Sequence, residues 1–139
     1  MTVLYPFAPP DRIDGVLVSK LRSLLSRIDP FDFQLVGTAW FGDHKVLWLA
    51  PEPAESFRHL TKTLAGAFPE YPPYGGEFDG STPHLTIGIQ GTPEELRRAE
   101  HDLQPHLPIR VTARDVTLMV ERPDNRWQRS ENFQLTGRS

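Results

Sequence analysis

The order of secondary structure repeats along the chain, and this repeat is the feature that most limits the folds open to it. Hydrophobic spacing predicts that each half runs strand, helix, strand, strand. The segments are residues 2–7, 12–28, 31–41 and 45–51 in the first half and 84–89, 91–103, 108–122 and 126–135 in the second. An amphipathic helix over 53–68 and a proline-rich loop over 69–82 connect the halves.

The repeat predicts an α+β fold with two pseudo-symmetric lobes. Each β-α-β-β half contributes antiparallel strands whose polar faces line a central groove, and the helices lie outside. We expect the two opening strands to lie side by side, so that Thr2 faces His84 and Thr86. At 139 residues the chain fits one domain, 1–139, with lobes at approximately 1–68 and 84–139 whose strands are free to interleave.

Local signals predict where the helices begin and end. Asp11 precedes the first helix as an N-cap, and Pro30 ends it. Thr92 precedes the last helix, with proline and two acids in the first turn. The connecting helix presents an apolar face of Phe57, Leu60, Leu64 and Phe68.

The stretch "STPHLTIGI" contains the most informative polar residues. Along a strand, side chains alternate between faces, so His84 and Thr86 share one face. Leu85, Ile87 and Ile89 share the other face, which we expect to pack on the core. An imidazole and a hydroxyl side by side on a groove face are suited to acid–base chemistry.

Composition excludes several classes of function. The chain has no cysteine, which removes thiol nucleophiles and cysteine-based metal sites. Its net charge of −3 does not indicate an extended nucleic-acid surface, and a small anionic ligand fits better. No segment resembles a signal peptide or a membrane span, so we expect a cytoplasmic protein with no membrane partner. We also expect the protein to be a monomer.

Two His-x-Thr strands facing one groove suit phosphate-ester chemistry without a metal. One neutral histidine accepts a proton from the attacking water or hydroxyl, and one protonated histidine donates to the leaving oxygen. The threonine hydroxyls donate to the non-bridging oxygens and hold the phosphorus in line.

The segments "TVLYPF", "VLWLAP", "FPEYPPYGG" and "PHLTIGI" resemble, in this order, the 2H phosphoesterase superfamily, and among them the bacterial 2′-5′ RNA ligase-like proteins. The resemblance covers nearly the whole chain. It implies a bilobal fold and a metal-independent, cofactor-free site with two His-x-Thr/Ser motifs. The implied substrates are 2′,3′-cyclic phosphates or 2′-5′ linkages of RNA ends and small nucleotides.

The chain matches the second motif of this family completely and the first only in part. His84-Leu85-Thr86 is a complete motif, whereas the histidine of the first motif would precede Met1 and only Thr2 is present. Two explanations remain open: the natural chain starts upstream, or the working protein lacks this histidine. We expect the first, because a start inside a strand that pairs in the central sheet is unusual.

Other side chains have competing structural and functional interpretations. Trp48 is either core or a base-stacking residue, and Tyr74 in the long loop either packs locally or forms a base platform. Arg126 and Arg129 follow the last turn, where a solvated edge competes with a phosphate contact. We interpret the four remaining histidines, His44, His59, His101 and His106, as structural or solvated, and we predict no metal site.

These observations predict a cyclic phosphodiesterase or 2′-5′ RNA ligase-like hydrolase acting in RNA processing. His84 is its general acid or base, and Thr86 and Thr2 are phosphate donors. One alternative is a nucleotide-binding or regulatory module that has lost catalysis. Another is a soluble α+β domain in which His-Leu-Thr arises by chance, with no nucleotide binding.

Overall fold

The structure is a computed structural model, and it describes residues 1–42, 44–72, 82–89 and 91–138. These residues form three α-helices and six β-strands. In chain order the elements are α1 (Gly15–Ser26), β1 (Phe31–Phe41), β2 (Val46–Glu52), α2 (Glu55–Ala67), β3 (Leu85–Gly88), α3 (Pro93–Leu103), β4 (Ile109–Ala113), β5 (Asp115–Glu121) and β6 (Trp127–Gln134). None of the described helices is long and apolar enough to cross a membrane.

The strands form two antiparallel sheets, which confirms the predicted α+β fold. One sheet has the order β3-β2-β1-β4, and β5 pairs with β6 in the other. The four-stranded sheet therefore contains strands from both halves of the chain. The long strand β1 makes this possible, because its first residues pair with β4 and its later residues pair with β2. The arrangement is consistent with two lobes.

Two apolar clusters hold the sheets and helices together. The larger combines α1, α2, β5 and β6, and its buried members are Leu21, Leu25, Leu60, Leu64, Phe68, Leu118, Phe133 and Leu135. The smaller lies under the four-stranded sheet, where Phe57 of α2 packs edge-to-face against Phe33 with ring centroids 4.8 Å apart. Helix α2 thus contributes to both clusters.

The prediction of an opening strand over residues 2–7 is wrong. The backbone bends from Val3 to Pro6 and pairs with no described strand. Val3 and Leu4 are consecutive, yet both pack against the larger cluster. A strand would send one of them to the opposite face, so apolar packing favours the irregular path. The side-by-side pairing of two opening strands is therefore not formed.

Two predicted helix ends also differ. Asp14, rather than Asp11, caps α1, since its Oδ1 accepts a hydrogen bond from the Leu17 amide at 2.9 Å. Asp11 lies in a preceding 3-10 turn. The helix ends at Ser26, before Pro30 is reached. Thr92 does cap α3, accepting from the Glu95 amide at 3.1 Å.

The strand predicted over 108–122 is two strands that part at Arg114. The first, β4, pairs with β1, and the second, β5, pairs with β6. The Arg114 carbonyl accepts a hydrogen bond from the Leu135 amide at 2.9 Å. Hydrophobic alternation continues through the break, so the sequence pattern does not reveal a change of partner.

A carboxylate fixes α3 on one face of the four-stranded sheet, the face that carries the smaller apolar cluster. Glu100 Oε2 accepts hydrogen bonds from Thr38 Oγ1 at 2.6 Å and from Trp40 Nε1 at 3.1 Å. Gln104 Nε2 also donates to Thr38 Oγ1 at 3.3 Å. Two partly buried donors of β1 therefore depend on one side chain of α3.

Replacing Glu100 with alanine is expected to lower the free energy of unfolding by about 1–3 kcal/mol, because it leaves two partly buried donors unpaired. Urea denaturation followed by circular dichroism measures the change. Asp102→Ala, an exposed acid on the same helix, is the matched control and should have little effect. Equal stability of the two variants would contradict an anchoring role for Glu100.

Candidate functional site

Strand β3 positions His84 and Thr86 beside β2. Leu85 pairs with Leu49, and Thr86 pairs with Trp48. Leu85 packs against the smaller apolar cluster, so its neighbours Thr86 and His84 point to the opposite face. This opposite face of the sheet is called the groove face below. The expectation that His84 and Thr86 share a face apart from Leu85 is confirmed.

The apolar face of β3 is shorter than predicted, because Ile87 and Ile89 are exposed. The register shifts between Leu47 and Trp48, so Gly88 rather than Ile87 lies opposite Leu47. Gly88 packs closely on α3: an added Cβ would lie 2.7 Å from Leu96 Cδ2. The strand carrying His84 therefore approaches the helix through a residue without a side chain.

Gly88→Ala is expected to destabilise the protein by about 1–3 kcal/mol, since Leu96 is buried and must move to admit the methyl group. Thermal unfolding provides the readout. Gly37→Ala is the matched control, because an added Cβ there meets nothing within 4 Å. The close approach of β3 to α3 would be wrong if the two alanine variants unfolded at the same temperature.

The His84 ring lies against two aromatic rings of the β1–β2 hairpin. Phe41 and Trp48 stack, with centroids 4.6 Å apart and planes 15° from parallel. The imidazole meets Phe41 edge-on at 5.2 Å and Trp48 at 5.9 Å. These contacts hold the half-buried imidazole at one edge of an aromatic pair.

A backbone carbonyl orients the same imidazole. His84 Nδ1 lies 3.0 Å from the Thr82 carbonyl oxygen. A carbonyl only accepts, so Nδ1 carries the hydrogen of this bond. In the neutral ring Nε2 is then the proton acceptor, and in the protonated ring it is the second donor.

Trp48 lies on the groove face, next to His84. It is half-buried, pairs with Thr86 and lies against His84. Its Nε1 is buried and has no hydrogen-bond partner among the described residues. Leaving a buried donor unpaired costs about 1–3 kcal/mol.

The structure does not bring the other predicted site residues to His84. Thr2 is exposed and lines a separate cavity of about 870 Å³ between the N-terminal segment and β4–β5, whose lining does not include His84 or Thr86. Arg126 lies in the β5–β6 turn, where its carbonyl accepts from the Arg122 amide at 2.7 Å. Tyr74 lies outside the described residues.

Sequence reasoning missed Phe41. It ends β1 directly before Gly42, a position at which a hairpin turn is expected. Alternation along β1 places Phe41 on the same face as Ala39, and Ala39 lies opposite Trp48. The sequence signal for this contact was the register of the β1–β2 hairpin. The position of the turn determines which residues of the two strands lie opposite each other, and so it places Phe41 near Trp48.

No three histidine, aspartate or glutamate side chains converge as metal ligands within the ranges that the structure describes. A family model described as the 2′-5′ RNA ligase superfamily matches residues 1–125. The match spans His84, Thr86, Trp48 and Phe41 and covers most of the chain. The chain matches no curated protein.

Proposed function

The chain belongs to the 2′-5′ RNA ligase superfamily, and from this premise we propose that it is a metal-independent phosphoesterase. Its proposed substrates are 2′,3′-cyclic phosphates or 2′-5′ phosphodiesters of RNA ends or small nucleotides. We expect it to act as a monomer in the cytoplasm. The observation that carries the proposal is an oriented imidazole, His84, next to the Thr86 hydroxyl and a stacked aromatic pair.

In the proposed reaction, water attacks the phosphorus of a cyclic phosphate and one phosphorus–oxygen bond to the ribose breaks. His84 Nε2 either accepts the proton of the water or, when protonated, donates one to the leaving ribose oxygen. A second histidine takes the complementary role, and the family pattern puts it immediately before Met1. The product is a phosphomonoester and a free ribose hydroxyl.

The remaining proposed contacts hold the nucleotide. Thr86 donates a hydrogen bond to a non-bridging phosphate oxygen, which orients the phosphorus for in-line attack. Thr2 stays a predicted second donor, because in this structure it lines a cavity apart from His84. Trp48 stacks on the base next to His84. Tyr74 remains a predicted contact to the base, and Arg126 remains a predicted contact to the phosphate.

The proposal is tested by turnover of 2′,3′-cyclic AMP with EDTA present. One protein begins at Met1, and the other carries a single histidine before Met1. Turnover that appears with the added histidine and persists in EDTA supports a two-histidine, metal-independent enzyme. Turnover by neither protein would overturn the proposed reaction.

A nucleotide-binding module without catalysis is the second candidate. It is favoured by the placement of Thr2, which lies in no strand and lines a cavity apart from His84. This alternative predicts that nucleotide binds to the chain, that neither protein turns over cyclic AMP, and that His84→Ala barely changes the affinity. Loss of binding in His84→Ala would contradict it.

A further inference from the structure

The hydrogen bond that orients the His84 imidazole spans a single residue. His84 Nδ1 lies 3.0 Å from the carbonyl oxygen of Thr82, and only Pro83 stands between these two residues in the chain. Few torsions therefore separate the carbonyl from the ring: φ and ψ of Pro83, φ of His84 and the two side-chain torsions of His84. Whatever restricts one of these torsions also restricts the hydrogen bond.

Proline restricts this short path in two ways. Its ring fixes φ of Pro83 at about −65°, and its Cδ favours an extended conformation of the preceding residue, Thr82. The other end of the path is held by the sheet, because β3 begins at Leu85, which pairs with Leu49. The Thr82 carbonyl thus reaches the imidazole from a backbone that has little freedom left.

The Thr82 carbonyl is the group that selects the tautomer of His84. A neutral imidazole carries its hydrogen on either nitrogen, and a hydrogen bond at one nitrogen decides which of them carries it. Phe41 and Trp48 meet the imidazole through their rings, at 5.2 and 5.9 Å, and form no hydrogen bond with it. No other residue in the described ranges forms a hydrogen bond with either ring nitrogen. Without this carbonyl, the neutral ring would populate both tautomers.

A second Pro-His pair shows that the dipeptide alone does not make this contact. Pro105 precedes His106 in the 3-10 turn Gln104–His106, which follows α3. The exposed His106 ring forms no hydrogen bond with any residue that the structure describes. The contact at His84 therefore requires the backbone that leads into β3 as well as the proline, and Pro105 provides a matched control.

We propose that Pro83 is a positioning residue for His84. It holds the Thr82 carbonyl where that oxygen accepts the Nδ1 hydrogen, and it thereby keeps Nε2 of the neutral ring unprotonated and available for proton transfer. The inference rests on the proposed function, because proton acceptance at Nε2 requires this tautomer and donation from Nε2 requires the same ring orientation. The unit that prepares the imidazole therefore begins at Thr82, two residues before the His-x-Thr motif.

The test determines the tautomer by NMR. Long-range ¹H–¹⁵N spectra of the histidine-labelled chain, recorded at about pH 8.5 where an ordinary imidazole is neutral, report which ring nitrogen carries the hydrogen. The resonances missing from the spectrum of His84→Gln belong to His84. We expect the Nδ1–H form in the unmodified chain, both forms in Pro83→Ala, and a larger change in Pro83→Gly, which frees φ further. Thr82→Ala keeps the carbonyl and Pro105→Ala is the matched control, so both should retain the Nδ1–H form of His84.

A kinetic measurement connects the tautomer to the reaction. In the chain that carries a histidine before Met1, Pro83→Ala should lower kcat for 2′,3′-cyclic AMP about two- to fivefold. KM should stay nearly unchanged, because the variant makes the correct orientation of His84 less populated without removing a contact to the ligand. Pro105→Ala should match the parent chain in both constants.

The outcomes separate this inference from the proposed function. The role of Pro83 is wrong if His84 in the unmodified chain carries its hydrogen on Nε2, or if Pro83→Ala and Pro83→Gly both retain the Nδ1–H form. An equal change of the His84 tautomer in Pro105→Ala, or an unchanged kcat in Pro83→Ala, would also overturn it. If the tautomer responds as expected but neither chain turns over cyclic AMP, the positioning by Pro83 stands and the proposed function is wrong.

Discussion

Replacing His84 with alanine is expected to lower the turnover of 2′,3′-cyclic AMP by about 10²–10⁴-fold in the chain that carries a histidine before Met1. The variant removes the imidazole that directly precedes β3 on the groove face, and with it the proposed proton transfer at Nε2. The bond from Nδ1 to the Thr82 carbonyl holds this ring in place with Nε2 free to exchange a proton, and alanine has no such group. Initial rates at saturating substrate measure the loss.

Two further variants separate chemistry from packing. His84→Gln keeps a side-chain N–H that can donate to the Thr82 carbonyl but cannot exchange a proton near neutral pH, so it should be as inactive as alanine. His59→Ala, an exposed histidine on α2, is the matched control and should retain full turnover. Activity that survives both substitutions of His84 would place the reaction elsewhere in the molecule.

Replacing Trp48 with leucine is expected to weaken the binding of adenosine and 3′-AMP to a similar extent, by about 1–3 kcal/mol. In the proposed complex the indole stacks on the base beside His84, whereas leucine preserves apolar packing against Phe41 without an aromatic face. An equal effect on both ligands indicates a contact with the base, because only 3′-AMP carries a phosphate. NMR titration or calorimetry gives both affinities.

The matched control for Trp48 is Trp40→Phe. Trp40 lies opposite Leu47, on the sheet face away from His84, and its Nε1 donates to Glu100. Its replacement should cost stability and leave nucleotide affinity unchanged. The base would not bind at Trp48 if Trp40→Phe and Trp48→Leu weakened adenosine equally.

Sequence patterns predicted the elements whose hydrophobic period is long and regular. The α2 and α3 helices, the β1–β2 hairpin and strand β6 all lie close to their predicted segments. The alternation that sets His84 and Thr86 apart from Leu85 was likewise visible, because each strand residue has only two faces available. Family membership agrees with the resemblance of the four motif segments.

The N-terminal segment shows where local pattern stops being informative. Its residues have strand-like composition, yet Val3, Leu4 and Phe7 all pack against the larger apolar cluster. Thr61 Oγ1 also donates to the Val3 carbonyl at 2.7 Å. Contacts with α2, distant in sequence, outweigh the local preference because strand propensity is itself weak and depends on a pairing partner.

The amino-acid order alone determined which faces of β3 and of the helices are apolar, since side-chain direction follows from the backbone period. Tertiary structure decided which strands pair, that the segment 108–122 divides between two sheets, and that Phe41 and Trp48 meet at His84. The physical reason is that pairing and ring contacts join residues far apart in the chain, and their energies depend on which surfaces the packed helices leave open.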